Sequence, residues 1–229
     1  MKKYIRPIAF IAGILIGLYV LARISGILVP YYTSSTANEP NLKVKSLIWA
    51  SRLKTPQRFD FICFKDYHPY YKTDNIYTYR LCGLAGDKIE IRDAVLYVND
   101  ENADKNLVLK HIYKVSTLAA MHLKEAGEIS EDEIFNIRNE DSVRVFLSEK
   151  QIKNNNLTAY KRLILPKTEV TKEIQKAYNK DWNTDQFGTI TVPKDHFFLL
   201  GDNRENAEDS RYWGFISKEK TVGTVLFKN

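Results

Sequence analysis

The sequence predicts a mainly β protein with an antiparallel β core, one N-terminal transmembrane helix and an inserted α/β subdomain. Three observations predict this architecture: an apolar run lies near the N-terminus, short strand-like runs follow it, and a more polar stretch with helix signals interrupts them. The chain has 229 residues, of which 44% are hydrophobic and 27% charged. This composition is typical of a globular protein that buries a core, and it excludes a chain that is disordered over its whole length.

The apolar run covers residues 7–29, with Arg23 as its one charged residue. About 20 helical residues cross the hydrocarbon core of a bilayer, so the run is long enough to span it if Arg23 reaches the far interface. Three basic residues precede the run, namely Lys2, Lys3 and Arg6. By the positive-inside rule they keep the N-terminus in the cytoplasm.

Two other interpretations of the apolar run fit its residues less well. A cleavable signal peptide also has a basic start and an apolar middle, but no small-residue cleavage pair follows here, because Ala22 is followed by Arg23. A buried core helix of a domain this size would show a polar face, which the run lacks. We therefore predict an uncleaved single-pass anchor in the cytoplasmic (inner) membrane, with the bulk of the chain on the extracytoplasmic side.

Short runs rich in Ile, Val, Tyr and Phe follow the anchor, and turn residues such as Thr55-Pro56 and Gly86-Asp87 separate them. Strands at this spacing are typical of an all-β barrel or sandwich. The runs cover residues 47–50, 61–64, 77–82, 88–91 and 95–98, and the pattern resumes with TITVP from Thr189 and HFFLL from His196.

The stretch between these two halves carries helix signals. Residues 117–126 hold helix formers that end at Gly127, a C-cap residue, and Ser130 with Glu133 has the spacing of a capping box before another helix. Further helices are predicted after Ser148 and over residues 168–178. We therefore divide the chain into an N-terminus with its anchor (1–29), a first half of the β core (30–100), an inserted α/β subdomain (101–186) and a second half of the core (187–229).

Composition also restricts the classes of partner. The net charge of +6 comes from 34 Lys and Arg against 28 Asp and Glu, and the basic residues are scattered, so nucleic acid is not an expected partner. A basic balance also suits an anionic membrane surface. The four histidines are isolated from one another, and we expect no metal and no cofactor. Cys63 and Cys82 are interpreted as small buried hydrophobic residues, although the sequence leaves open whether they pair.

Three separated motifs follow one another along the chain. The first is STANEPNL at residues 35–42, and the second is YTYRLCGLAGD at residues 77–87. The third, at residues 201–214, is the longest and the most specific, with Gly-Asp-Asn-Arg, then Asp-Ser-Arg, then Trp-Gly. A weaker fourth segment is Arg58-Phe59-Asp60, which leads into FICF.

Together these motifs resemble type I signal peptidases, which are membrane-bound serine endopeptidases with a Ser/Lys dyad. The resemblance covers residues 1–100 and 187–229, and the inserted subdomain matches in position only. It implies a signal peptidase-like β core at the membrane, with exported preproteins or their signal peptides as partners. It also implies that the polar residues of the third motif brace the active-site sheet: Gly201, Asp202, Asn203, Arg204, Asp209, Ser210 and Arg211.

The same resemblance places the catalytic positions of the family on residues that lack the required chemistry. The nucleophile position is Ala37, the base position is Tyr79, and the position that orients the base is Ala207. Ser35 remains at the position whose serine donates to the oxyanion. A phenol titrates near pH 10 and is a poor substitute for a lysine base, so no catalytic residue is intact.

Two functions follow from these residues, and a third, purely structural role stays open. We predict a non-catalytic relative that binds exported peptide segments, or a membrane protein partner, as an added strand. The alternative is an active serine endopeptidase that removes signal peptides. It would need a shifted nucleophile and a new base, with Ser34, Ser35 or Thr36 as the hydroxyl and Lys43 or Lys45 as the amine. A base from the inserted subdomain is a further option.

Overall fold

The computed structural model describes residues 2–68 and 72–228. The N-terminal apolar segment forms one helix, α1 (Lys2–Ile24). Within it, the 18 residues Pro7–Ile24 are apolar enough to cross a membrane, and the rest of the chain buries none of them. The helix therefore has the composition and length of a membrane span, but it ends at Ile24, before the predicted end of the anchor at residue 29, because Val29 begins a strand.

Short elements make up the remainder of the described chain. The strands are β1 (Val29–Tyr32), β2 (Leu47–Ser51), β3 (Phe61–His68), β4 (Thr73–Gly83), β5 (Lys88–Arg92), β6 (Val95–Val98), β7 (Glu101–Asn102), β8 (Lys110–Ser116), β9 (Ile134–Asn136), β10 (Ser142–Ser148), β11 (Phe187–Thr191), β12 (His196–Leu200), β13 (Ile216–Ser217) and β14 (Thr221–Lys228). The helices after α1 are α2 (Thr117–Glu125), α3 (Glu149–Asn154), α4 (Lys172–Tyr178) and α5 (Ser210–Trp213). Four 3-10 helices cover Thr36–Asn38, Glu131–Glu133, Arg204–Asn206 and Lys218–Lys220.

The strands form three antiparallel sheets. The largest has the order β1-β2-β14-β3-β4-β12-β13, so strands from both ends of the chain share one sheet. A second sheet, β11-β5-β6-β7, also joins the two ends, whereas β8-β10-β9 comes from the middle of the chain alone. The predicted mainly antiparallel β fold with one N-terminal apolar helix is confirmed.

The strand pair β5 and β6 shows how the local sequence specifies the core. In KIEIR the residues alternate between solvent and interior, so Ile89 and Ile91 point inward. In VLYV the same alternation buries Leu96 and Val98 in the same hydrophobic cluster. The strand β12 is buried along most of its length and supplies Phe198 to that cluster.

The middle sheet has a core of its own. Val115 and Val145 pack against Leu123 of α2 in a cluster separate from the main sheet. The hydroxyls of Ser116 and Ser148 accept hydrogen bonds from the first turns of α2 and α3, which explains where these helices begin. The chain boundaries proposed for this subdomain stay a prediction.

The prediction of a helix after the capping box is wrong. Ser130 and Glu133 do form the reciprocal capping contacts, but they close only a 3-10 turn, and β9 follows at Ile134. Pairing of β9 with β10 supplies the backbone hydrogen bonds that a helix would have made, and Phe135 packs on Phe146 with ring centroids 5.5 Å apart. The helix predicted after Ser148 forms as α3, whereas the one predicted over residues 168–178 is shorter than expected, because α4 begins at Lys172.

Both cysteines are free and buried, in β3 and β4 respectively. Burial raises the pKa of the Cys63 thiol to about 11 and that of the Cys82 thiol to about 12. The structure therefore answers the question that the sequence leaves open: the two residues are unpaired, and they behave as small hydrophobic side chains.

The first residues of β8 join the middle sheet to the third motif. The Lys110 amide donates to the Asp202 carbonyl at 3.0 Å, and the Ile112 amide donates to Glu205 Oε2 at 3.0 Å. Nδ1 of the buried His111 lies 3.1 Å from Glu205 Oε1, and burial lowers the pKa of this imidazole. The inserted segment thus contacts the motif through its backbone as well as its side chains.

Lys110 also joins the first motif to the inserted segment. Its Nζ donates to Glu39 Oε2 at 2.9 Å and to Glu133 Oε1 at 2.6 Å, and its side chain is 6% exposed. Burial by itself would lower the pKa of Lys110, but the hydrogen bonds that it donates to Glu133 and Glu39 outweigh burial and raise the pKa. The amine therefore stays protonated and acts as a buried cation between two carboxylates.

The first prediction concerns this buried cation. Lys110→Met should lower the free energy of unfolding by about 3 kcal/mol, because Glu39 and Oε1 of Glu133 would lose the cation that they share in a largely buried position. The matched control is Lys124→Met, whose partner Glu131 is exposed, and which should change stability little. Urea unfolding of both variants in detergent, followed by tryptophan fluorescence, measures the difference. Equal effects of the two substitutions would contradict the role given to Lys110.

Candidate functional site

The three motifs meet at one buried cluster. Ala37 lies in the 3-10 helix of the first motif, Tyr79 lies on β4, and Ala207 follows the 3-10 helix of the third motif. They are 3%, 6% and 5% exposed and belong to the same hydrophobic cluster as Ile62 and Leu199. The structure therefore brings together the three positions that the sequence singled out, and it surrounds them with apolar side chains.

Gly201 lies at the centre of these positions. A Cβ atom on Gly201 would lie 2.4 Å from the Ala207 Cβ, 2.6 Å from the Ala37 carbonyl oxygen and 3.4 Å from the Tyr79 ring. Glycine is the residue that permits such close approach of three chain segments. The backbone amide of Asn203 donates to the same Ala37 carbonyl at 3.0 Å and holds the first and third motifs together.

The Tyr79 ring is packed among other aromatic side chains. Its centroid lies 5.6 Å from that of Trp213 in an edge-on arrangement and 6.2 Å from that of Phe64. Burial raises the pKa of the Tyr79 phenol far above its ordinary value, and the carboxylates of Asp209 and Glu208 add to this shift. The side chain is therefore a neutral phenol and cannot take a proton from a hydroxyl near neutral pH.

Ser35 has a structural role in the first motif. It is the N-cap residue of the 3-10 helix, and its Oγ accepts a hydrogen bond from the Ala37 amide at 3.1 Å. A backbone N–H at this point could otherwise stabilise a developing oxyanion. The N-cap contact thus occupies the donor beside which an oxyanion would form.

The other proposed nucleophiles have no base beside them. Thr36 Oγ1 accepts a hydrogen bond from the Asn206 side chain at 2.9 Å, and Ser34 is exposed. Lys43 and Lys45 are exposed, and among the described residues neither donates a hydrogen bond to a hydroxyl of the first motif. The buried lysine of the inserted segment is held protonated by its two glutamates. No serine or threonine hydroxyl of this motif therefore has a lysine base beside it in the described part of the chain.

The charged residues of the third motif form buried ion pairs. The Arg80 guanidinium donates two hydrogen bonds to the Asp202 carboxylate, of 2.6 Å and 2.5 Å. Arg204 donates two hydrogen bonds to the Asp104 carboxylate in the same way, of 2.8 Å and 2.6 Å. Within the motif, Arg211 pairs with Asp209 at 2.8 Å, and Ser210 Oγ accepts from the Leu199 amide at 2.9 Å. These contacts brace β4, β12 and the motif, and none of them leaves a charge for chemistry.

One residue of the site was missed by the sequence reasoning. The Asn38 side chain donates from Nδ2 to the Thr78 carbonyl of β4 at 2.6 Å. Residues 80–83 of β4 pair with β12, but no described strand pairs with this edge of β4 before Arg80. No local pattern marks Asn38, since a single asparagine before Glu-Pro indicates only a turn.

The described residues offer no evident metal centre. No group of three or more His, Cys, Asp or Glu side chains in this part of the chain has an arrangement that could hold a metal ion. The geometry thus comprises an apolar cluster, a set of structural ion pairs and an open strand edge.

Comparison with known proteins identifies the family. The family model described as "Signal peptidase, peptidase S26" matches residues 2–228. The chain belongs to this signal peptidase family. The resemblance carried by the three motifs is thereby confirmed, and signal peptidase I homologues are membrane-bound, which agrees with the apolar helix α1.

Several signal peptidases illustrate the relationship. Signal peptidase I from Buchnera aphidicola subsp. Schizaphis graminum is 30% identical and that from subsp. Baizongia pistaciae 32% identical, each over 181 residues. The alignments cover 75% and 76% of this chain but only 53% and 56% of the relatives, so the chain spans about half their length. The crystal structure of a signal peptidase I from Enterococcus faecalis V583 matches 76% of this chain and 98% of its own, with 24% identity and a TM-score of 0.36.

The second prediction concerns the glycine at the centre of the site. Gly201→Ala should lower the free energy of unfolding by about 3 kcal/mol, because its Cβ would overlap Ala207 and the Ala37 carbonyl. Adding Ala207→Gly removes one of the two overlaps and should restore part of the loss. Gly13→Ala, where nothing lies within 4 Å, is the control. Thermal unfolding by circular dichroism measures all variants, and a Gly201→Ala protein as stable as its parent would disprove the packing.

Proposed function

We propose that this member of the signal peptidase family binds exported peptide segments at the membrane surface without cleaving them. Membership of the family supports a role in signal-peptide processing. One observation carries the finer proposal: the side chains of Ala37, Tyr79 and Ala207 meet in a buried apolar cluster in place of a hydroxyl and an amine.

The loss of catalysis follows from the chemistry of these three side chains. Ala37 has no hydroxyl to attack an amide, and Tyr79 is a neutral phenol with a strongly raised pKa. A serine needs a base within hydrogen-bond reach to become a useful nucleophile. Without nucleophile and base, only about 10³–10⁴-fold acceleration over water remained in the serine proteases where it was measured. That is too little for a working peptidase.

Peptide binding depends on the open edge of β4 and not on catalytic groups. Because the Thr78 carbonyl points to this edge, the backbone groups of Ile76 and Asp74 point the same way, as alternate residues of a strand do. An extended peptide can add to such an edge through main-chain hydrogen bonds. Tyr77 of β4 is half-buried and packs against Trp213, which is 37% exposed, with ring centroids 5.2 Å apart, and this pair would supply apolar contact. The same edge would receive an extended segment of a membrane protein partner.

The proposed location follows from α1. The basic residues before the apolar run hold the N-terminus in the cytoplasm, which sends the β core to the extracytoplasmic side of the cytoplasmic membrane. In that place the open edge is on the side of the membrane on which exported chains emerge. Exported preproteins and their signal peptides are therefore the partners that we propose.

The third prediction tests the absence of catalysis. The purified full-length chain in detergent should not cleave a fluorogenic signal-peptide substrate above the buffer rate, and Ser35→Ala should change nothing. Ala37→Ser combined with Tyr79→Lys and Ala207→Ser should produce cleavage, because the hydroxyl and the amine then occupy adjoining positions. Cleavage by the unmodified chain that disappears in Ser35→Ala would instead establish an active endopeptidase with a shifted nucleophile.

The fourth prediction tests the mode of binding. A fluorescent signal-peptide segment should bind the full-length chain, as measured by anisotropy, with its main chain along β4. Methylation of backbone nitrogens on alternate residues that face the edge should abolish binding, because each methyl removes a donor and blocks the approach. The matched control peptide carries the same number of methyl groups on the intervening residues and should bind as the parent does. Equal loss of binding with both peptides would contradict strand addition.

A further inference from the structure

We infer that Asn38 sets the register of the bound segment, because its side-chain amide occupies the innermost backbone acceptor of the open β4 edge. The inference rests on the proposed binding of peptides at this edge and adds a residue that determines where the bound strand ends. It assigns to Asn38 a positioning role that the catalytic pattern of the family does not contain.

The contact of Asn38 with β4 is short and buried. Nδ2 donates to the Thr78 carbonyl at 2.6 Å, and the residue is 5% exposed. Its Oδ1 is buried and has no partner among the described residues. This fixes the orientation of the amide, because a flip would place Oδ1 against the Thr78 carbonyl and bring two acceptors together.

The backbone around Asn38 is held in place from two sides. Ser35 caps the 3-10 helix in which Asn38 lies. The backbone amide of Asn203 donates to the carbonyl of Ala37, the residue before Asn38. The side chain therefore projects from a braced turn. It can act as a fixed stop at the end of the edge.

The position of Asn38 determines how many residues of β4 can form backbone hydrogen bonds with the bound segment. Pairing of β4 with β12 begins at Arg80, so Thr78 is the last residue that faces the open edge before β12 covers it. With the Thr78 carbonyl occupied, the complete N–H and C=O pairs that remain belong to Ile76 and Asp74. Successive edge-facing residues lie two positions, or about 7 Å, apart along a strand. The bound segment therefore stops one such step short of the site at Ala37.

The inference predicts a changed profile of binding in Asn38→Ala. With the unmodified chain, a methyl group on the peptide nitrogen opposite the Thr78 carbonyl should be tolerated. Asn38→Ala frees this carbonyl, so the unmethylated peptide should bind about 2- to 10-fold more tightly, and the same methyl group should now remove the gain. Asn206→Ala is the matched control, because it removes a neighbouring amide that bonds Thr36 and not β4.

A second measurement does not depend on the peptide. In a nitrogen-15 spectrum of the free protein, the Asn38 side-chain signal is assigned as the one that is absent from the spectrum of Asn38→Ala. Its amide hydrogens should be protected from exchange with solvent. An unprotected amide would overturn the inference even if peptides bind. Peptide binding with the same methylation profile in Asn38→Ala would overturn the register assignment alone. Absence of peptide binding to every variant would instead overturn the proposed function, and the register assignment with it.

Discussion

The buried pair of Arg80 and Asp202 is the interaction on which the site depends. It joins β4, from the first half of the chain, to the third motif, from the second half. Neither charge can remain buried without the other, because the desolvation of a lone ion costs several kcal/mol. The pair therefore holds Tyr79 and Gly201, the residues directly before its two members, against each other. This placement brings Tyr79 into the apolar cluster that also contains Ala37 and Ala207.

The same geometry explains how the scaffold and the chemistry could separate. Adjacent residues of a strand point to opposite faces, so Arg80 can keep its ion pair while Tyr79 on the other face packs against Phe64 and Trp213. The bracing residues of the third motif thus stabilise the fold, whereas the nucleophile and base positions of the family serve only catalysis. A chain can retain the first set, which stabilises the fold, and still replace the second.

Backbone edges are less sensitive to such replacement than catalytic side chains. Strand addition uses N–H and C=O groups that every residue carries, and the open edge of β4 is created by the point at which β12 pairing ends. In the proposed binding mode, side chains around the edge adjust where a peptide can lie, as the Asn38 side-chain amide would do through its hydrogen bond to the Thr78 carbonyl. The proposed binding and its register therefore do not require the groups that cleavage requires.

The sequence by itself determined the elements that depend on local pattern. The apolar run of α1, the alternation in β5 and β6, and the positions Ala37, Tyr79 and Ala207 within their motifs were all readable without a structure. The tertiary structure decided the partners that lie far apart in the chain. Arg204 pairs with Asp104, a hundred residues away, and Asn38 with Thr78, forty residues away, whereas periodicity within a short window carries no information about such contacts. For the same reason the segment after Ser130 became a strand: pairing with β10 outweighed its local helix signal.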